Sequence, residues 1–421
     1  MAIQTTFTLA TGAQLDPPLF MDAQASISVP STQKCPRFRI SPWQRRQPLF
    51  KGQRHLPIGD SVDCGIATFT KLRGASGMVK MKYLAQTACT AALIGVSSYS
   101  YAAQNGINYD PAHSRAYKAA QADYDGPKGV AGMTAAINTD LMQIKNTLKF
   151  NIIKTYYSQY CNIPTGQCVP SIAQLANAVG LKVMLGVYEF PDHADWTQGQ
   201  VEAAIAAAND PAYGKAVIGI VVGNEDMFDF RGTAIPELQR RIVKDISTIK
   251  AAVSVTVTTA QRQGDWCGGM ASGCDAKRMN SLNQSDPYGV LSTVDVVGAN
   301  IFPYWGGSPE KINGVSVASF TQATAMDLNI ALHKGVIVTE EGWPSCANPG
   351  QHATTIDDEI DYFHTWSTHA SQSFDSYYFQ AYDLAETIAC GSGGSSGDAD
   401  KHFGLCADSG VTKDARLIGC K

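Results

Sequence analysis

The sequence predicts an α/β chain closed into an eight-stranded (β/α)8 barrel, and three observations predict it. Short apolar runs alternate with helical patterns from Gln104 onward. There are eight such runs. Together they occupy about 250 residues or a little more, the length that eight βα units need. The whole chain has 421 residues and is 44% hydrophobic, which is ample for one large core.

Taken in order, the strand-like runs cover 106–109, 151–156, 182–188, 218–222, 253–258, 294–299, 336–339 and 377–381. Helical patterns fill most of the gaps. Residues 133–148 carry Ala136, Leu141, Ile144 and Leu148, and 171–179 and 198–208 are rich in alanine. A helix at 236–253 follows Thr233, with Pro236 in its first turn, where the fixed φ of proline fits. Residues 316–333 are apolar on one face. Residues 356–370 follow Thr355, with Asp358 three residues on, a start like a capping box. Strands alternating with helices call for parallel βαβ units, and eight of them fit a TIM barrel forming a single domain. The competing architecture is an open doubly wound sheet. It would want a glycine-rich first βα turn, and Gly106-Ile107-Asn108-Tyr109-Asp110 is not one. No internal repeat is present. The run from Gly391 to Gly397 is expected as a loop following strand eight, on the active face of the barrel.

Residues 1–103 fall outside this pattern. Residues 83–96 form a short apolar run, preceded by Lys80 and Lys82 and followed by Tyr101-Ala102-Ala103. A basic start, an apolar middle and a small-residue exit are the layout of a secretory signal peptide. The run is too short for a mature membrane span. Residues 78–103 are therefore expected to be removed, leaving a secreted chain that starts at Gln104. Residues 1–77 contain no Glu, show no sustained periodicity and scatter Arg and Pro. They are expected to be an upstream extension without function, with translation starting at Met78 or Met81. An organellar transit peptide shares the Arg-rich, acid-poor composition, but would not need the second, apolar segment.

Charge and cysteine divide at the same place. Residues 1–103 hold 11 Lys and Arg against 4 Asp and Glu; the rest hold 22 against 33. An acidic body without a basic stripe argues against nucleic acid or an anionic membrane as partner. Cys35, Cys64 and Cys89 fall in the first part. Eight cysteines remain, an even number that in an exported chain points to disulfides. Cys161 and Cys168, and Cys267 and Cys274, are spaced as local staples. Cys346/Cys390 and Cys406/Cys420 are the natural remainder, although sequence alone leaves the connectivity open. None has the Cys-x-x-Cys spacing of a zinc site, so no metal is expected.

In a barrel of this kind function gathers at the C-terminal ends of the strands. Strand four runs Ile218-Gly219-Ile220-Val221-Val222-Gly223-Asn224-Glu225, and strand seven runs Val336-Ile337-Val338-Thr339-Glu340-Glu341-Gly342-Trp343-Pro344. Each is an apolar run that stops abruptly in carboxylates. For one such Glu, a helix cap or a loop salt bridge is the better reading. Two in one chain move the balance towards a catalytic pair, one carboxyl protonated to assist a leaving oxygen and the other ionised to attack an anomeric carbon.

At these residues the sequence resembles glycoside hydrolase family 17, the β-1,3-glucanases of plants and fungi. Val222-Gly223-Asn224-Glu225 resembles the family's strand-four signature. Thr339-Glu340-Glu341-Gly342-Trp343-Pro344 resembles the more specific strand-seven signature. Gly106-Ile107-Asn108-Tyr109, Ile153-Lys154-Thr155-Tyr156, Asn300-Ile301-Phe302-Pro303-Tyr304 and His402-Phe403-Gly404-Leu405 agree in order. The resemblance covers Gly106 to the C-terminus and implies that residues 104–421 are a glycoside hydrolase catalytic domain. It makes Glu225 the acid/base and Glu340 the nucleophile of a retaining endo-1,3-β-glucanase. Glu341 takes the variable slot, since successive strand residues face opposite ways. Asn224, Tyr156, Asn300, Tyr304 and Trp343 are the expected substrate-binding residues, with Tyr188 and Trp305 as further aromatic candidates. The expected substrate is a β-glucan, handled by a monomer without cofactor or metal, outside the cell or in a cell wall. The same carboxylates would also serve a glucanosyltransferase, and a non-catalytic glucan-binding wall protein is the alternative from another class. Two departures stand out. Lys154 replaces an expected Arg. Gln380 replaces an acid on strand eight, whose place Asp383 or Glu386 is left to fill.

Overall fold

Eight parallel strands close on themselves in the computed structural model. It describes residues 104–421 apart from 123–128, 163–166, 230–232, 268–285, 287, 307–310, 313–314, 348–352, 370–372, 385–398 and 418–421. The strands are β1 Asn105–Asn108, β2 Ile152–Lys154, β3 Lys182–Val187, β4 Val217–Asn224, β5 Thr256–Arg262, β6 Val297–Asn300, β7 Val336–Glu341 and β8 Ser376–Tyr378. Each lies beside the strands before and after it in the chain, and β8 pairs with β1 to complete the ring. This is the TIM barrel that the sequence predicts. The expected leader and upstream extension lie outside the described residues, as do Glu386 and the run from Gly391 to Gly397.

The helices follow from apolar stripes. They are α1 Arg115–Ala122, α2 Gly129–Asn146, α3 Ile172–Ala178, α4 Ala194–Asn209, α5 Pro236–Ala252, α6 Val290–Thr293, α7 Val317–Leu332 and α8 Ile356–His369. Helix α5 buries Leu238, Ile242, Ile246 and Ile249, a helical spacing that turns one face to the barrel. Helix α8 opens with a reciprocal cap: Thr355 N donates to Asp358 Oδ2 at 2.7 Å, and Asp358 N donates to Thr355 Oγ1 at 3.3 Å. Helix α1 has no periodic apolar pattern in its sequence. It buries only Tyr117 and Ala120, too few apolar positions to make a pattern.

The core has two layers. Ile152, Met184, Val221, Ala260, Ile337 and Tyr377 form one cluster, with Ile218 and Val296 packed against it. Its buried members come from six strands and no helix, which places it inside the barrel. A larger cluster packs the outer strand faces against the helices. Strand β5 begins and ends later than its apolar run implies. The run stops at Thr258, while the strand continues through Gln261 and Arg262 because those polar side chains find partners at the barrel mouth. Cys161 and Cys168 are disulfide-bonded across a two-stranded ribbon, as their spacing implies. Cys346 and Cys406 are disulfide-bonded as well. The other cysteines of the expected pairs fall at or beyond the edge of the described residues.

A buried ion cluster fastens the C-terminal segment to the barrel. Lys413 Nζ lies 2.9 Å from Glu359 Oε2 on α8 and 3.0 Å from Asp383 Oδ1 just past β8. It also donates to the carbonyls of His402 and Gly404. Burial holds Glu359 above the ordinary carboxylate range, against the pull of the Lys413 charge. Removing the cation leaves two buried acids facing each other. Lys413→Met should therefore cost about 3–5 kcal/mol, read as a lower urea midpoint at neutral pH. An unchanged midpoint would show that the cluster contributes no net attraction.

Candidate active site

Strand β4 delivers Glu225 through a break in its own backbone. Gly223 and Glu225 both sit at positive φ, 75° and 55°. A Cβ at Gly223 would lie 2.6 Å from Asp226 Oδ2, so both conformation and space call for glycine there. The turn is clamped from the next strand. Gln261 Oε1 accepts from the backbone N–H groups of Asp226 and Met227, and Gln261 Nε2 donates to Asp226 Oδ1 at 2.8 Å. The backbone N–H of Glu225 itself donates to Ala260 O. A left-handed residue other than glycine costs about 1–3 kcal/mol unless its surroundings enforce it, and here β5 supplies the enforcement.

Strand β7 parts its two consecutive acids. Glu341 turns outward into a buried polar nest, where it accepts from Tyr362 OH at 2.8 Å, Trp366 Nε1 at 3.0 Å and Ser376 Oγ. Glu340 faces the mouth. Lys154 Nζ lies 2.9 Å from Glu340 Oε1, and Tyr156 OH donates to the same oxygen at 2.8 Å. Lys154 also donates to Asn108 Oδ1 at 3.0 Å and stands 4.4 Å from the centre of the Tyr156 ring. The Asn108 amide is aimed by its own donations to the carbonyls of Thr339, Tyr377 and Tyr378. Burial, then the charge of Glu340, push the Tyr156 phenol well up, which keeps it a donor. The compact ammonium of Lys154 thus works as a point cation between two oxygen acceptors, where the resemblance had led to an Arg fork.

Asn300, at the end of β6, links the two carboxylate strands. Its amide donates to Glu225 Oε1 at 2.8 Å and to Asn224 Oδ1 at 3.3 Å. Its carbonyl accepts from Thr339 Oγ1 on β7 at 2.7 Å. Burial, reinforced by the negative charge of Glu340, raises Glu225 to about 7, although the Asn300 hydrogen bond and Arg262 pull the other way. One of the two facing carboxyls therefore holds a proton near neutrality, and the other is in an ion pair.

Both open onto a cleft of about 720 Å³. Of the expected residues, Glu225, Glu340, Asn224, Tyr156 and Asn300 line it, as do Tyr188 and Trp305. Tyr304 and Trp343 do not line it. Each is 1% exposed, and their rings meet edge to face at 5.5 Å beneath the rim. Trp343 Nε1 is spent on Thr354 Oγ1. The aromatic surface on that side of the cleft belongs to Phe302, Trp305 and Phe379 instead. The motif Asn-x-Phe-Pro-Tyr does not reveal which ring turns outward, because a short 3-10 turn at Pro303–Gly306 sets it.

Sequence reasoning missed Arg262 and Asp265, which also line the cleft and pair at 3.0 Å. The polar run Gln261-Arg262-Gln263 after an apolar strand was the available signal. Gln380 is buried, and its side-chain amide has no hydrogen-bond partner among the described residues. Asp383 is bound to Lys413 and to the Gly404 N–H, so it does not take the place of an acid beside Glu340. Among the described residues no group of His, Cys, Asp and Glu is arranged to hold a metal ion.

A parallel barrel with two carboxylates opposed at its C-terminal mouth is an architecture of the barrel glycoside hydrolases. The family model of the BtgE/BtgC glycoside hydrolase domain matches residues 106–404, and the chain belongs to that family. Two curated relatives, from two strains of Aspergillus fumigatus, are each described as "Probable glucan endo-1,3-beta-glucosidase btgC". Each is 24% identical over 225 residues, covering 48% of this chain and 29% of the relative. The aligned part is thus under a third of those relatives' length. Among solved structures, an active-site mutant of Rhizomucor miehei β-1,3-glucanosyltransferase in complex with laminaritriose is similar at 21% identity. The match covers 76% of this chain and 97% of that one, with a TM-score of 0.50. A second structure, of a glycoside hydrolase family 17 β-1,3-glucanosyltransferase from the same organism, is similar at 20% identity, 75% and 98% coverage and a TM-score of 0.50. At these identities the likeness shows a shared fold.

The coupling of the two carboxyls can be read without a substrate. In a ¹³C carboxyl titration, Glu225 should titrate near 7, and Glu340→Gln should move its midpoint down by removing the facing charge. A midpoint that stays in place would assign the shift to burial alone.

Proposed function

We propose that the chain is a retaining endo-1,3-β-glucanase, with Glu225 as acid/base and Glu340 as nucleophile. The single observation that carries this reading is the asymmetry of the pair. Glu225 is raised to about 7, while Glu340 has one oxygen doubly held by Lys154 and Tyr156 in the same cleft. Glu225 gives its proton to the glycosidic oxygen as that bond breaks. Glu340 Oε2, the oxygen left without those donors, attacks the anomeric carbon and forms the glycosyl ester. Glu225, now a carboxylate, takes a proton from water, whose oxygen displaces Glu340 and restores both groups. Such a pair works with its carboxyl groups about 5–5.5 Å apart. Asn224 and Asn300 bind sugar hydroxyls, and Tyr156 holds the nucleophile while facing the bound ring. The relatives' description as glucan endo-1,3-β-glucosidases favours a β-1,3-glucan as substrate.

Export is part of the same proposal. Disulfides at Cys161–Cys168, Cys346 and Cys406 suit an oxidising compartment. The leader at 78–103 would be removed, with 1–77 absent from the working chain, which acts as a monomer on extracellular or wall glucan.

Laminarin digestion followed by size separation tests the reaction. Glu225→Gln and Glu340→Gln should each lower the release of short oligosaccharides by about 10²–10⁴-fold. Products longer than the substrate would mean that a sugar, rather than water, takes the glycosyl group. Binding without cleavage by the folded parent chain would sink the catalytic reading.

The pH profile supplies a second test. The first step needs Glu225 protonated, so kcat/KM should fall tenfold per pH unit as pH rises through about 7. An alkaline limb beginning well below pH 6 would remove Glu225 from the acid role.

A further inference from the structure

The loop from β3 into α4 carries a row of aromatic rings that leads away from the cleft. Tyr157 and Tyr188, both in the cleft wall, lie stacked with centroids 5.3 Å apart. Tyr188 meets Phe190 at 4.9 Å, and Phe190 meets Trp196 edge to face at 5.4 Å. The exposed His193 lies flat on Trp196 at 4.1 Å. Tyr188, Phe190 and Trp196 are each only half-buried, so the row keeps a face to solvent.

A surface loop of this kind is ordinarily mobile. Here it is nailed down. Arg241, from α5, donates to the carbonyls of Phe190 and Pro191 and to Thr197 Oγ1, and lies 3.0 Å from Glu189 Oε2. The Glu189 side chain is fully buried, and Thr197 Oγ1 accepts from the Phe190 N–H. Burial, then the charge of Asp245, push the Glu189 carboxyl up to about 8 against the pull of Arg241, so the loop is fastened by the Arg241 donations to its carbonyls and to Thr197. The result is that the rings stand in one arrangement before any ligand arrives. Preorganised, partly exposed aromatic faces continuous with a cleft suit the C–H faces of pyranose rings.

We propose that Tyr188, Phe190, Trp196 and His193 form an accessory platform for the outlying glucosyl units of a long β-glucan chain. It rests on the reading of the cleft as a glucan site and adds a preference for chain length to it. Arg241 is its positioning residue: it touches no sugar and sets the loop.

The test compares β-1,3-gluco-oligosaccharides of three and six residues. One measurement is kcat/KM with the intact chain. The other is binding to the uncleaving Glu340→Gln chain, followed by intrinsic fluorescence. The parent should favour the hexaose, and Trp196→Ala should lower the hexaose-to-triose ratio about tenfold. Trp196→Phe, which keeps an aromatic face, should restore most of it. Should Trp196→Ala not fold, His193→Ala replaces an exposed ring without touching the core and should lower the ratio severalfold. A parent that cleaves glucan with a ratio unmoved by these changes overturns the platform and leaves the proposed function standing. Trp196-dependent hexaose binding without cleavage keeps the platform and removes the hydrolase. Neither cleavage nor binding removes both.

Discussion

The ion pair between Lys154 and Glu340 is the constraint around which the mouth of the barrel is arranged. Both side chains are almost fully buried, 1% and 5% exposed. A buried charge is tolerated only when it is paired and its remaining hydrogen-bonding capacity is met. That requirement spreads outward. Lys154 needs Asn108 as a second acceptor, and Asn108 needs three carbonyls from β7 and β8 to hold its amide. Glu340 needs Tyr156 as a second donor. Thr339 and Asn300 then carry the network to Glu225. The ends of β1, β2, β4, β6, β7 and β8 are thus tied by polar atoms above an apolar barrel interior, and a shift of one strand's register would break several bonds together.

The same network makes the two carboxyls unlike each other. Glu340 receives an ammonium and a phenol. Glu225 receives a neutral amide and faces the charge of Glu340 across the cleft. Low local polarity amplifies that difference, because a neighbouring charge counts for more where water is scarce. The left-handed backbone at Gly223 and Glu225 belongs to the same design, since it turns the Glu225 side chain off the strand direction and into the cleft.

Much of this was legible in the chain. Strands β3, β4 and β7 were visible because strands covered on both faces read as unbroken apolar runs. The abrupt change from Val222 to Asn224-Glu225, and from Val338 to Glu340, marked the strand ends at which apolar packing gives way to a polar mouth. Strand alternation set Glu340 and Glu341 on opposite faces and the resemblance chose Glu340 for the mouth; Glu341 lies in the buried nest of Tyr362, Trp366 and Ser376. Strand β5 was misplaced because Gln261 and Arg262 are polar. Their burial depends on partners in the turn after β4, which no local pattern contains.

Periodicity along the chain therefore determined the barrel and the order of its strands, because each is a consequence of local hydropathy and of right-handed βαβ succession, while the strand-end motifs marked the acids at its mouth. Folding alone decided which rings turn to the cleft. Tyr304 and Trp343 are as aromatic as Trp305 and Tyr188, but whether a ring faces cleft or core depends on a turn geometry and on neighbours far away in sequence. It likewise decided that Lys154 rests on Asn108 and Glu340, residues 46 and 186 positions away. Such a pairing exists only once barrel closure has brought β1, β2 and β7 together, and it is burial at that junction that gives the pair its strength.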